Sequence, residues 1–312
     1  MCILGGVALA NKNMLMIVNP VSGRGILRQR IWKILETFSK ANITINVAFT
    51  KCQGDATELA KNCPDDIQTV ICAGGDGTLN EVIRGLMENP TPHKLGYIPV
   101  GTTNDLATSL GIPKNPIEAA KTIIENRTAL IDIGLFSNRY FNYVASFGAF
   151  TEASYNTPQE AKNILGHFAY VLEGVMSLGN IRPQHVKFTF NGTTIEDDYI
   201  FAAISNTTSM GGVLKLNEAL VALNDGEFEF LVIKNPENII QLQKIITDIM
   251  TQNFSGDLVN LYHTSHLIVE SETEFDWTLD GECHHGGKRE EIKNIHKAIN
   301  LIVPSAKSDK TE

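Results

Sequence analysis

Residues 71–86 read ICAGGDGTLNEVIRGL, and they join a buried-strand pattern to a glycine turn, an acidic residue and a helix start. Thr69 to Ala73 is a short apolar run of the kind expected of a strand covered on both faces. Gly74, Gly75 and Gly77 let the backbone turn sharply and approach a ligand. Beyond them Thr78 and Glu81 fit a capping box, and Leu79, Val82, Ile83 and Leu86 recur on one helical face. The N-terminal end of such a helix favours an anion by roughly 0.3 to 1 kcal/mol per charge. Asp76 would repel a bare phosphate; a bound Mg2+ reverses that, because it takes carboxylate and phosphate oxygens together.

Outward from this stretch, residues 14 to 134 alternate strand and helix. Met14–Asn19, Ile43–Phe49, Leu95–Pro99 and Ala129–Ile133 read as strands. Leu27, Ile31, Ile34, Leu35 and Phe38 mark one helix face, and Asp55–Lys61 and Ile117–Glu125 read as further helices. Repeated strand-helix units imply a mostly parallel sheet with helices on both faces, and ligands bind at the carboxyl ends of its strands. Three strands end in VNPVSGRG (18–25), AGGDGT (73–78) and PVGTTND (99–105). One glycine turn is weak evidence; three at one edge favour a shared anion site.

After residue 135 the pattern becomes alternating strands. Val186, Phe188 and Phe190 precede Asn191-Gly192, a strong hairpin signal, and Glu227–Lys234, Leu267–Glu270, Phe275–Leu279 and Ala298–Val303 are further strand candidates. Helical stretches interrupt near 160–178 and 238–250. The expected organisation is an α/β domain over 13–134, a β-rich, sandwich-like domain over 135–304, and flexible tails at 1–12 and 305–312.

The 312 residues, 43% of them hydrophobic, suffice for two such cores. A net charge of -9 argues against a nucleic-acid partner, which needs clustered Lys and Arg. Five cysteines without framework spacing point to free thiols in a reducing cytosol. No run of about 18 apolar residues would span a bilayer, and MCILGGVALA lacks the basic start of a signal peptide.

GGDGTLNE (74–81), with NPVSGRG upstream, GTTNDLA downstream and LDGE at 279–282, resembles the diacylglycerol kinase catalytic domain of soluble bacterial lipid kinases. The resemblance runs from about residue 14 to 303. It implies an α/β nucleotide-binding domain followed by a β-sandwich domain, with ATP and Mg2+ in the cleft between them. It places ATP on Asn19, Pro20, Val21, Ser22, Gly23 and Thr50, on Gly74, Gly75, Asp76, Gly77, Thr78, Leu79 and Asn80, and on Thr102. It sets Asp76 and Asp105 near the phosphates and metal, and makes Glu282 the proton acceptor. By the same resemblance a second, structural Mg2+ is held at Asp225, with backbone carbonyls of Ala222 and Glu227, and is linked through water to Asp132. Read as residues alone, Asn224-Asp225-Gly226 is equally a hairpin turn.

The apolar stripe Ile164, Leu165, Phe168, Val171, Leu172, Val175 and Met176 reads as a helix face, either core or partly shared with acyl chains. Arg24, Arg28, Lys162 and Arg182 are candidate contacts for anionic groups, Arg24 foremost. Cys283-His284-His285 has no second ligand pair at a distance, so no zinc is assigned. The leading expectation is ATP- and Mg2+-dependent phosphorylation of a lipid hydroxyl, diacylglycerol giving phosphatidate, by a cytoplasmic enzyme working at the inner membrane surface. Other lipid acceptors, an NAD kinase and a nucleotide-gated lipid carrier are the alternatives, and a homodimer is left open.

Overall fold

The computed structural model describes residues 12–102, 104–148, 182–207, 209–210, 214–215 and 224–305. The chain divides into two compact units, residues up to 129 together with those from 299, and residues 130–298. The division is therefore not one cut at 134/135, because the chain end returns to the first unit.

In the first unit β1 (Lys12–Val18), β2 (Ile43–Phe49), β3 (Thr69–Gly74) and β4 (Lys94–Pro99) form a parallel sheet in the order β2-β1-β3-β4. Asn300 and Leu301 extend it, pairing in parallel with Lys94 and Leu95. Every residue of β3 is buried, which explains its unbroken apolar run. Helices α1 (Ile26–Lys40), α2 (Asp55–Lys61), α3 (Asp76–Glu88), α4 (Asp105–Ser109) and α5 (Pro116–Glu125) cover the sheet or connect its strands. Strand order reverses direction between β1 and β3, and the carboxyl ends at such a switch point form the ligand crevice of open α/β sheets.

The second unit is β-rich. Its strands are β5 (Thr128–Phe136, shared across the boundary), β6 (Arg139–Phe141), β7 (Val144–Gly148), β8 (Gln184–Phe190), β9 (Thr193–Ser205), a short pair β10 (Ser209–Met210) and β11 (Leu214–Lys215), β12 (Phe228–Lys234), β13 (Val259–Thr264), β14 (His266–Ser271), β15 (Asp276–Leu279), β16 (Glu282–His285) and β17 (Arg289–Ile302). Asn191 and Gly192 both take positive φ, the turn that the Asn-Gly pair predicts between β8 and β9. Successive residues of β12 serve two cores. Phe228, Phe230 and Val232 join an aromatic cluster with Phe188 and Trp277, while Leu231 and Ile233 meet Leu242, Ile245 and Ile249 of α6 (Ile239–Thr251). The apolar stripe at 164–176 lies outside the described residues. No helix among the described residues is long and apolar enough to cross a membrane.

Candidate functional site

Three loops meet at the carboxyl edge of the α/β sheet. After β1, Asn19 N donates to Ala73 O of β3 at 3.0 Å, so the two strands stay paired up to the loop. The Asn19 side chain works in both directions: Nδ2 donates to Thr78 Oγ1 at 2.9 Å, and Oδ1 accepts from Val21 N at 3.1 Å. Gly23 turns at φ +67, and a Cβ there would lie 2.2 Å from Val100 O, so only glycine lets the first loop rest on the third. Thr50 N donates to Val18 O at 3.0 Å, which holds the end of β2 beside the same edge. Pro20 and Ser22 are half-buried and Val21 is exposed.

Helix α3 starts with Gly75 as its N-cap, and no side chain caps it. The expected capping box does not form. Thr78 is held by Asn19 instead, and Glu81 turns away to accept from Gly54 N at 2.9 Å and Ala56 N at 3.2 Å, capping α2. The one carboxylate in the first turn of α3 is that of Asp76, at its first position. Gly75 and Gly101 touch backbone to backbone: a Cβ on Gly101 would stand 2.7 Å from Gly75 Cα.

Asn104 organises the third loop and is absent from the sequence-predicted set. It lies in the left-handed region at φ 54 and is 4% exposed. Its Oδ1 accepts from Gly101 N at 3.0 Å and Tyr97 Oη at 3.2 Å, its Nδ2 donates to Gly101 O at 2.8 Å, and its amide donates to Asp76 Oδ2 at 2.8 Å. After glycine, Asn is among the residues that most readily tolerate that backbone, and this is the signal in GTTND that could have found it. Asp76 is thereby fixed at the head of α3, half-buried, with carboxylate oxygens of the type Mg2+ prefers. Asp105 opens α4 directly after Asn104; Gly77 and Thr102 are exposed, Asn80 is half-buried and Leu79 is buried.

In the β-rich unit LDGE is a hairpin. Asp280 (φ 50) and Gly281 (φ 84) form a two-residue turn with positive φ at both positions, joining β15 to β16. The Asp280 carboxylate accepts three backbone amides, from Asn142 at 2.6 Å, Tyr143 at 3.0 Å and Val144 at 3.1 Å. Its own amide donates to Val144 O at 2.9 Å. Glu282 is thus the first residue of a strand rather than part of a loose loop, and its carboxylate is ion-paired with Arg139 of β6.

Asp132 is fully buried. Its carboxylate accepts from Lys297 N at 2.6 Å and Gly226 N at 2.7 Å, and it pairs with His296 Nδ1 at 3.1 Å. The link from Asp132 to the turn at 224–227 is thus a direct hydrogen bond. Asp225 is exposed, with Oδ1 accepting from Glu227 N at 3.0 Å, while Glu227 O accepts from Asn294 Nδ2 at 3.2 Å. Ala222 and Lys162 lie outside the described residues; Arg28 and Arg182 are exposed.

Glycine loops at the carboxyl edge of a parallel sheet are of the kind that cradle phosphate groups, and here a β-rich unit with an acidic hairpin follows them. The model of the diacylglycerol kinase catalytic domain matches residues 13–136. A diacylglycerol kinase of Bacillus subtilis (strain 168) is 34% identical over 305 residues, covering 96% of this chain and 99% of that one. One from Staphylococcus aureus (strain JH9) is 32% identical over 297 residues, covering 94% and 93%. A solved structure from Bacillus anthracis str. Sterne, assigned as a diacylglycerol kinase, superposes with a TM-score of 0.77 at 26% identity over 96% of this chain and 99% of that one. The chain belongs to the diacylglycerol kinase family, and it is a lipid kinase.

Proposed function

We propose that this enzyme transfers the γ-phosphate of ATP to the free hydroxyl of diacylglycerol, giving ADP and phosphatidate. The observation that carries the reading is the mutual pinning of the three glycine loops through Asn19–Thr78, Gly75–Gly101 and Asp76–Asn104. Such loops would meet a triphosphate along Asn19 to Gly23, Gly74 to Asn80, Thr50 and Thr102, through hydroxyls and the backbone N–H groups not already bonded within the protein. Asp76, with Asp105, would hold Mg2+, which when bound neutralises charge on the transferred phosphate. Glu282 takes the proton of the attacking hydroxyl as the oxygen–phosphorus bond forms and the bond to ADP breaks. Asp225, with the carbonyls of Ala222 and Glu227, would hold a structural Mg2+ backed by Asp132. The acceptor lies in a bilayer, so the enzyme works in the cytoplasm at a membrane surface.

The test is incubation with labelled ATP, Mg2+ and a panel of lipids in mixed micelles, with NAD as a control. Label in phosphatidate is the expected result. Label in another lipid or in NADP reassigns the acceptor, and label in no acceptor removes the reading. Glu282→Gln is expected to lower turnover by about 10²- to 10⁴-fold with ATP affinity kept; near-normal turnover removes Glu282 from the chemistry.

A further inference from the structure

Cys283 and His285 alternate along β16 and share one face of the strand, with Glu282 and His284 on the other. Two ligands at such spacing do not hold a metal, but the hairpin register supplies a third. Asp276 of β15 pairs directly with His285, and Cys283 pairs with Thr278, so Asp276 is also a diagonal neighbour of the thiol. The donor atoms of Asp276, Cys283 and His285 lie within 4.8 Å of one another, and all three side chains are exposed. His285 Nδ1 and Asp276 Oδ1 are hydrogen-bonded at 2.6 Å.

We propose that Asp276, Cys283 and His285 form a binding site for a borderline-soft divalent cation, Zn2+ by its chemistry, with water as the fourth ligand. A sulfur, a nitrogen and a carboxylate oxygen are the ligand set that Zn2+ takes, whereas Mg2+ keeps to oxygen. On binding, the thiol releases its proton to solvent and the imidazole ligates as the neutral ring. Thiolate and carboxylate together bring two negative charges, which balance the ion. With metal–ligand distances of about 2.0 to 2.3 Å, a tetrahedral ion needs its donors a little over 3 Å apart. The Asp276–His285 contact therefore opens by less than an ångström and the sulfur closes in, movements open to exposed side chains. The backbone beneath is already fixed by the Asp280–Gly281 turn. Occupancy ties the edge strand β16 to β15 by a bond across the pair.

The other described thiols offer no such set. Burial pushes Cys72 well up and Cys63 up to about 11, and a hydrogen bond from Cys52 to the Asp55 carboxylate raises that thiol too.

Titration of the full chain with Co2+ tests the site through the thiolate-to-cobalt charge-transfer band. One Co2+ per chain is expected, displaced by Zn2+ and not by Mg2+. The band should vanish in Cys283→Ser and persist in Cys52→Ser. In His285→Ala and Asp276→Asn the affinity should fall at least about 10-fold, the loss that even outer-shell partners of a metal bring. Zn2+ should also slow alkylation of Cys283, a readout independent of the spectrum. The absence of a band in the parent protein, or a band that survives Cys283→Ser, overturns the proposal.

Discussion

Arg139 and Glu282 form an ion pair that joins β6 to the first residue of β16, with both side chains partly open to solvent. If Glu282 takes the proton of the acceptor hydroxyl, it gains from being held in one orientation beforehand, and a guanidinium is a rigid means of holding it. Arg139→Ala is expected to lower kcat about 10- to 100-fold, the scale of a misplaced reacting group, with KM for ATP unchanged. Arg139→Lys should recover part of the loss. Steady-state kinetics with saturating lipid checks both, and an unaltered kcat in the alanine variant removes the positioning role.

The three amides gathered by Asp280 make it the anchor of the LDGE hairpin. Asp280→Ala leaves those donors without their charged acceptor and is expected to cost about 2 to 4 kcal/mol, measured by urea unfolding. Asp280→Asn keeps one carbonyl oxygen and tolerates the left-handed backbone, so its loss should be smaller. Equal stability of the two variants would show that charge, not the oxygen acceptor, carries the effect.

Gly101→Ala places a methyl group against Gly75 Cα, a backbone atom that cannot rotate aside. The loops must part, at a cost of about 1 to 3 kcal/mol for overpacking. If these loops hold the triphosphate, ATP affinity by calorimetry should fall as well, by about 10-fold or more.

Asp132→Ala removes a buried carboxylate from Gly226 N, Lys297 N and His296. The expected loss is about 2 to 4 kcal/mol, the scale of leaving buried amide donors without their charged acceptor. Thermal melts in EDTA and in Mg2+ separate the parts of this effect. A loss of equal size in both means that the protein donors alone account for it.

His284 is pushed below the ordinary histidine value, first by burial against Phe136 and then by the positive charge of Arg139; Glu290 acts the opposite way and His285 adds to the lowering. The folded form therefore binds its proton less readily than the unfolded chain. Stability from this group is complete above about pH 6.5, the unfolded value, and is lost as pH falls through that value towards the lower folded one. Proton NMR of the His284 ring should give a midpoint below 6.5, and His284→Gln should flatten this part of the pH–stability curve.

The α/β unit was the more legible of the two because its evidence is local. Strands covered on both faces give unbroken apolar runs such as Thr69 to Ala73, and glycines such as Gly23 mark places where backbone meets backbone. The Asn191-Gly192 turn was readable for the same reason. Asp280-Gly281 carries the same turn chemistry and follows the readable strand Phe275–Leu279, but β16 beyond it is only four residues, too short for alternation to show. What sequence could not show depends on partners that only the folded chain brings together. Glu81 has the spacing of a capping box and caps another helix, Asn104 reaches back to Asp76, and Asp276 meets Cys283 and His285 only through strand register. Local spacing constrains which bonds are geometrically open, while tertiary packing selects among them.

The pairing of Asn300 and Leu301 with Lys94 and Leu95 makes the β-rich unit a long insertion in the α/β unit rather than an appendage to it. During synthesis β4 stays unflanked on that side until β17 leaves the ribosome, so the α/β unit cannot finish folding first. A fragment cut at residue 129 would carry a bare strand edge, open to pairing with other chains.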